Sequence, residues 1–442
     1  MLYDEVAKRY HAPALEDMGD NNSRLWQAMY RDEYIYSSPE IHHLSLPAAI
    51  ATEIARAAVI EFKSEMADAS ADLARDYAGL LDDLPGITEQ ACAFGGVMLK
   101  PYALSNKVVV DCVAPDLFVP LGVTSNGKIN HVIFIDRADA LDDKGRRVFY
   151  TRLEEHDYSS PERYVIRNEA YRSDTRNSLG DPCALDLVAA WSGMAEEITL
   201  TGLDQPLYAY LKYPQANNLD PTSPLGMSCF CRAIALIQDA DEQYSRILWE
   251  YTGSELAIDA DITALKAGKK MPVHGERLFR DLGLDAQDGF YKVFSPAIRD
   301  ESLFRGLNQI LRRIEFNCGL SYGLISDVTD TAKTATEMKI AKQRFYTTVS
   351  ALQGALQEAL EATVYGMAIL LGERPPEDIS FDFDDSILTD SSEEQRIMIA
   401  EVAAGLLRPE EYLMRRYGVT EDQAKEMMPP ANPDVHIWDG EE

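Results

Sequence analysis

The run from Thr334 to Gly372 constrains this chain most. Phe345, Val349, Leu352, Leu356, Leu360, Thr363, Met367 and Leu370 recur at three- and four-residue spacing, and Thr334 with Glu337 forms a capping box at the start. The pattern predicts one helix over 335–371, a rod of roughly 55 Å at 1.5 Å per residue. A rod of that length must bury its stripe. The expectation drawn here is that the stripe exceeds what one copy of the chain can cover.

Two shorter stripes precede it. Phe230, Ile234, Ile237, Tyr244, Leu248 and Tyr251 predict a helix that starts just after Ser223-Pro224 and stops at Gly253. Leu303, Leu307, Ile310, Ile314 and Cys318 predict another between Asp300 and Gly319. Between them, Glu255–Ser295 reads as an insert with strands at Glu255–Ile258 and Phe290–Phe294 and a short helix at Gly275–Leu282.

The amino-terminal part reads as helical to about Asp83. Ser45-Leu46-Pro47 is a helix start, Ile50, Ile54, Ala57, Ala58 and Phe62 supply one apolar face, and Met66–Leu81 gives a second amphipathic helix. The pattern changes at Phe94-Gly95-Gly96. Short β runs follow at Val97–Pro101, Lys107–Val113, Ile129–Arg137, Arg147–Leu153 and Arg163–Asn168, with turns at Asn126-Gly127 and Asp143-Lys144-Gly145. Such close spacing predicts an antiparallel hairpin sheet with both faces partly covered. Cys183–Glu197 reads as helix and Tyr208–Tyr213 as a strand. After Gly372, Ile379, Phe381 and Phe383 alternate with Asp382 and Asp384 as a strand with one wet face. Ser391–Gly405, Pro409–Tyr417 and Thr420–Met428 read as short capped helices, and Pro429–Glu442 as a loose tail.

Composition narrows the class. The 442 residues, 46% of them apolar, predict a globular protein with two to four domains. The most apolar segment, Leu46–Phe62, is broken by Glu53, Arg56 and Glu61, so no membrane span is expected, and Met1–His11 lacks the apolar core of a signal peptide. The expected setting is a reducing cytosol, where Cys92, Cys112, Cys183, Cys229, Cys231 and Cys318 stay as core thiols. With 73 acidic and 42 basic residues the net charge is −31, which argues against a broad polyanion-binding face.

Motifs for chemistry are incomplete. Gly319-Leu320-Ser321-Tyr322-Gly323 matches a nucleophile elbow, but a helical stripe precedes it and the later histidine, His436, lies in the tail. Asp382, Asp384, Ser386, Asp390 and Glu393 match calcium-loop positions, yet Ile387 stands where glycine is needed. Cys229, Cys231, His274 and Cys318 form a conceivable zinc set, but the Cys229/Cys231 spacing suits a helical pattern and no knuckle. The His42-His43 pair reads as a surface loop, and GxxxxGK[ST] is absent. No cofactor, no metal and no catalytic residue is expected. Lys333, Lys339, Lys342 and Arg344 cluster where the long helix begins, with Glu358 and Glu361 beyond; basic residues there oppose the macrodipole, so the plain reading is a solvated face or partner acids and the functional one intermittent phosphate contact.

The phrases Asn218-Leu-Asp-Pro-Thr-Ser-Pro-Leu-Gly226, Phe294-Ser-Pro296, Thr334-Ala-Thr-Glu337 and Asp385-Ser-Ile387 before Glu393-Glu-Gln, in that order, resemble the portal proteins of long-tailed bacteriophages and prophages over about Leu46–Met428. The resemblance implies an α+β, helix-dominated fold with wing, stem, clip and crown arranged as a ring, usually of twelve subunits, with double-stranded DNA passing through. By order, 1–223 would be wing, 224–253 a stem helix, 254–298 the clip, 299–318 the second stem helix, 319–334 the tunnel loop, 335–390 the long wing helix and strand, and 391–442 a short crown and tail. It further implies a DNA-facing loop with Ser321, Tyr322, Ser326, Asp327, Thr329, Asp330, Thr331 and Lys333, and phosphate contacts from Lys333, Lys339 and Lys342. Implied partners are the terminase packaging motor, the head-tail connector, and capsid and scaffold proteins. The implied location is the capsid portal vertex of a virion assembled in the host bacterial cytoplasm, without a membrane. A serine hydrolase using Ser321, or another ring component such as a connector or scaffold, is the alternative.

Overall fold

The computed structural model describes residues 2–12, 19–104, 107–141, 145–160, 162–254, 257–260, 279–281, 291–294, 297–327, 335–383, 398–417 and 421–428. The chain divides into two compact units, Met1–Phe383 and Asp384–Glu442. Helix (46%) outweighs strand (24%), as the α+β, helix-dominated expectation requires.

Four helices and a strand open the first unit: α1 (Leu2–Arg9), α2 (Gly19–Tyr30), α3 (Leu46–Val59), β1 (Phe62–Met66) and α4 (Ala71–Phe94). Ser70 caps α4, its hydroxyl accepting from the Leu73 amide at 3.1 Å. Two expectations change here. Phe62 and Met66 lie on a strand and on no helix, and α4 runs straight through Pro85 to Phe94. The interior proline costs about 3 kcal/mol, but Leu84 just before it and Ile87, Ala91 and Cys92 beyond it are buried, and their packing holds the helix together.

At Gly95 the chain enters its sheets. β2 (Gly96–Leu104) pairs with β3 (Lys107–Val113), and a single helical turn at Pro115–Leu117 leads to β4 (Phe118–Val123), β5 (Ile129–Leu141), β6 (Arg147–Ser160), β7 (Arg163–Ser173), β8 (Asp181–Cys183), β9 (Glu197–Leu200) and β10 (Ala209–Lys212). The antiparallel hairpins form two sheets, not one: β10-β2-β3, and β4-β5-β6-β7-β8 with β9 also on β7. Both faces of the larger sheet are covered, as expected. Ile133 and Ile135 pack with α1 through Leu2, Tyr3 and Val6. Val132 and Phe134, one residue out of phase, pack with Met98 and Tyr208 of the smaller sheet side.

Cys183–Glu197 is not the helix its pattern suggests. It holds the end of β8, two single turns at Leu185–Leu187 and Ala189–Trp191, and the approach to β9, because Trp191 and Leu185 must pack against Ala170 of the sheet. The next correction concerns 224–230, expected in the first stem helix. This segment is not helical: the Gly226 amide donates to the Tyr210 hydroxyl at 3.0 Å and the Cys229 amide to the Cys92 carbonyl at 2.9 Å. Only after a single turn at Cys231–Ala233 does α5 (Ile234–Gly253) begin. The described parts of the insert are β11 (Ala257–Ala260), β12 (Phe279–Asp281) and β13 (Tyr291–Phe294), with β11 parallel to β12 and antiparallel to β13. Residues 279–281 are thus strand where a short helix is expected.

Then come α6 (Asp300–Cys318), α7 (Ala335–Leu371) and β14 (Ile379–Phe383). The 37-residue α7 matches its predicted limits. Its covering does not match the expectation. Phe345, Val349, Leu352, Leu356, Leu360, Thr363 and Met367 are all buried within one chain, because α7 lies against α3, α4, β2, β3 and β10. One copy therefore covers the stripe from Phe345 to Met367. β14 closes the unit by pairing with β1, Phe62 facing Phe383 in register. In the second unit, residues 398–403 are helical and α8 (Pro409–Tyr417) packs with α9 (Glu421–Met427). Thr334 of the predicted capping box lies outside the described residues.

Candidate functional site

The helices α5 and α6 form an antiparallel hairpin. Arg232 and Asn317 meet at one end, Gln243 and Leu303 midway, and Glu250 and Arg299 at the other. The last pair is bidentate, with Arg299 Nε and Nη2 donating to the two Glu250 oxygens at 3.1 and 2.8 Å. Those bonds hold the Glu250 carboxyl below the usual carboxylate range.

Gly319 ends α6 in the left-handed region at φ 73°, where a Cβ would stand 2.6 Å from Thr348 Oγ1. The chain then folds back along α6. Glu315, fully buried, sits on the returning loop: its Oε1 accepts from the amides of Gly323, Ile325 and Ser326 at 2.9, 2.9 and 3.0 Å. Its Oε2 accepts from the Ser326 hydroxyl at 2.8 Å. Two turns earlier, Asn308 Oδ1 accepts from the Asp327 amide at 2.8 Å, and Asn308 Nδ2 donates to the Asp327 carbonyl at 3.3 Å. Since residues 308 and 315 are seven apart, they share one face of α6. A buried carboxylate is tolerated only when its lone pairs are used, and here four donors use them.

The expected loop residues separate accordingly. Ser326, expected on the DNA-facing loop, is buried in one copy and its hydroxyl is committed to Glu315. Tyr322 is 43% exposed and Asp327 is exposed, and Ser321 is partly exposed. Thr329, Asp330, Thr331 and Lys333 lie outside the described residues. Lys339 and Lys342 fall on the first turns of α7, their side chains outside the described residues. Arg344 places its guanidinium 4.1 Å from the Phe316 ring centroid, a cation–π contact that ties α7 to α6.

Geometry also bears on the other motifs. Ser321 follows a helix end, where a nucleophile elbow needs the end of a strand. Among the described residues, no group of three His, Cys, Asp or Glu side chains could hold a metal ion. Cys92, Cys229 and Cys318 are buried and burial pushes their thiols up, Cys231 to about 11; His274 lies outside the described residues. Of the calcium-loop positions only Asp382 is described, on β14. No helix among the described residues is long and apolar enough to cross a membrane.

Three buried polar clusters escaped the sequence reading. Besides Glu315, Asp241 on α5 accepts from the Tyr36 hydroxyl (2.9 Å) and the Leu44 amide (2.9 Å) and lies 2.8 Å from His43 Nδ1. His43, expected on a surface loop, is stacked on Tyr34 at 4.0 Å. Burial first, then the Asp241 charge, push the Tyr36 hydroxyl well up. At the seam of the two sheets, Glu154 is 2.6 Å from Lys100 Nζ, 3.1 Å from Arg152 and 2.9 Å from His156. The available signal for Glu315 was that Asn308 and Glu315, seven apart, each directly follow a residue of the apolar stripe, Leu307 and Ile314.

No protein-family model matches the sequence, and no curated protein matches it. Among solved structures, the chain is similar to one from "Neck of native GTA particle computed with C12 symmetry", at 12% identity and a TM-score of 0.48, over 93% of this chain and 97% of that one.

Proposed function

We propose that the chain is a phage-type portal subunit: a ring-forming conduit for double-stranded DNA at a capsid vertex, and the docking platform for the packaging motor, the head-tail connector, and capsid and scaffold proteins. What carries the reading is the α5–α6 hairpin. It is followed directly by the anchored loop and the long helix, in the order of the phrases Asn218–Gly226, Phe294-Ser-Pro296 and Thr334–Glu337.

The hairpin and its surroundings also leave large side chains uncovered in one copy. Trp249 is 69% exposed, Tyr251 40%, Ile298 44%, Phe304 43% and Phe316 46%. Exposed aromatics of this size mark protein contacts. Lateral packing of identical hairpins would cover them, and heterologous contacts that close give a ring. If there are twelve copies they carry 12 × −31 = −372 formal charges. A wall of that sign keeps phosphates from adhering while the duplex slides, and Lys333 supplies a sparse basic ring that brakes it. The chain is read as non-catalytic and without a cofactor.

The test is direct. Negative-stain images of the purified protein should show rings with a central hole. A single compact copy at micromolar concentration under every condition would remove the proposal. For the hydrolase alternative, Ser321→Ala should abolish a turnover; for the conduit, it should leave particle yield unchanged. Replacing Lys333 by Ala or Glu and finding packaging and DNA retention unaltered would eliminate the brake.

A further inference from the structure

We infer that Glu315 and Asn308 are positioning residues that set how the loop after α6 is presented to DNA; the inference rests on the portal reading above. The chain leaves α6 at Gly319 and must turn toward α7. Instead of departing freely, residues 320–327 lie back along two turns of α6. They are held at Gly323, Ile325 and Ser326 by one carboxylate and at Asp327 by one carboxamide. Seven residues on a helix span about 10.5 Å at 1.5 Å per residue, so the two fixings are well separated. They define a direction as well as a point.

The consequence is a fixed display. With Ser326 turned inward, the large side chains that the fold-back leaves at the surface are Tyr322, 43% exposed, and Leu324, 38% exposed. Tyrosine offers a ring and a hydroxyl, groups that stack or donate to a passing duplex without strong charge attraction. A rigid root matters because every strand segment must meet the same weak contact. A loop with an untethered root would average over many positions, as side chains without supporting bonds do.

The experiment uses DNA-filled particles carrying p-benzoylphenylalanine at position 322, with position 187, exposed on the sheet side, as control. Irradiation of otherwise unaltered particles should cross-link DNA at 322 and not at 187. No cross-link at 322 would refute the loop's DNA-facing role, and this inference with it. Given that cross-link, Glu315→Ala should lower its yield per assembled ring about tenfold, and Ser326→Ala or Asn308→Ala two- to fourfold. Glu315→Gln should restore most of it, since the amide oxygen still accepts the loop amides and its nitrogen can donate to Ser326. Unchanged yields in rings of normal assembly would overturn the positioning role while leaving the portal reading intact. Should Glu315→Ala give no rings, Ser326→Ala and Asn308→Ala, which keep the carboxylate, decide the matter.

Discussion

Lys100→Met tests the seam between the two sheets, where a misjudged interaction would be most visible. Lys100 Nζ lies 2.6 Å from Glu154, the two side chains being 8% and 15% exposed, and 5.1 Å from the centroid of Phe134. Methionine keeps the stem and loses the cation. Leaving a buried charge with no partner costs about 3–5 kcal/mol. Here Arg152 at 3.1 Å and His156 at 2.9 Å still bond Glu154, so the lower end, about 3 kcal/mol, is expected. Glu154→Gln in the same chain removes the stranded charge and should return about 1–2 kcal/mol.

The effect has a pH signature. Burial alone would raise the Glu154 carboxyl, but the His156 hydrogen bond and the Lys100 and Arg152 charges outweigh it and hold it well below the usual range. Burial holds the His156 imidazole down, so the two permanent cations dominate near neutrality. A carboxyl depressed in the folded state stabilises above its unfolded value, near 4.3, and loses that contribution as pH falls toward the folded value. The gap between Lys100→Met and the parent should therefore be full at pH 7 and shrink below about pH 4 as the variant's carboxyl takes up a proton. Urea unfolding followed by tryptophan fluorescence at both pH values measures it. A loss under about 0.5 kcal/mol at pH 7, or a double variant no better than the single one, refutes the reasoning.

Four other predictions are independent. Gly226→Ala puts a Cβ 1.9 Å from the Gly95 carbonyl, backbone against backbone, so a loss of about 3 kcal/mol or more, seen as a lower melting midpoint and poor soluble yield, is expected. Leu360→Ala should cost about 2–5 kcal/mol in any assembly state, because its site is filled by its own chain. Trp249→Ser, at 69% exposure, should move the unfolding midpoint of a single chain by under about 0.5 kcal/mol yet reduce ring yield on size-exclusion chromatography. Asp241→Asn gives an amide nitrogen to Tyr36, His43 or Leu44 in place of an acceptor. It should cost about 1–3 kcal/mol and speed tryptic cleavage after Arg31, in the segment those residues hold down.

What the sequence by itself determined is the local architecture with strong periodicity and clear stops. The long helix ends before Gly372, α5 at Gly253 and α6 before Gly319, each where the apolar spacing lapses and a glycine follows. Strands β2, β3, β5, β6 and β7 were legible for the same reason, since alternation and turn residues act between neighbours in the chain, whereas β4 at Phe118–Val123 was not read. Propensity failed where a distant surface imposed the backbone. Residues 224–230 are kept from helix by Tyr210 and Cys92, Cys183–Glu197 is broken up to seat Trp191, and α4 outlasts Pro85 because its far end is buried.

Only the tertiary structure decided which helical faces one copy covers and where the buried carboxylates find their donors. The α7 stripe is satisfied from α3, α4 and the smaller sheet, whereas Trp249, Phe304 and Phe316 on the hairpin are not. Asp241 and Tyr36 stand 205 residues apart in the chain, and Glu154 and Lys100 54 apart. Helical and strand periods report which side of an element is apolar. They carry no record of what arrives on that side, and a buried charge is defined by that arrival.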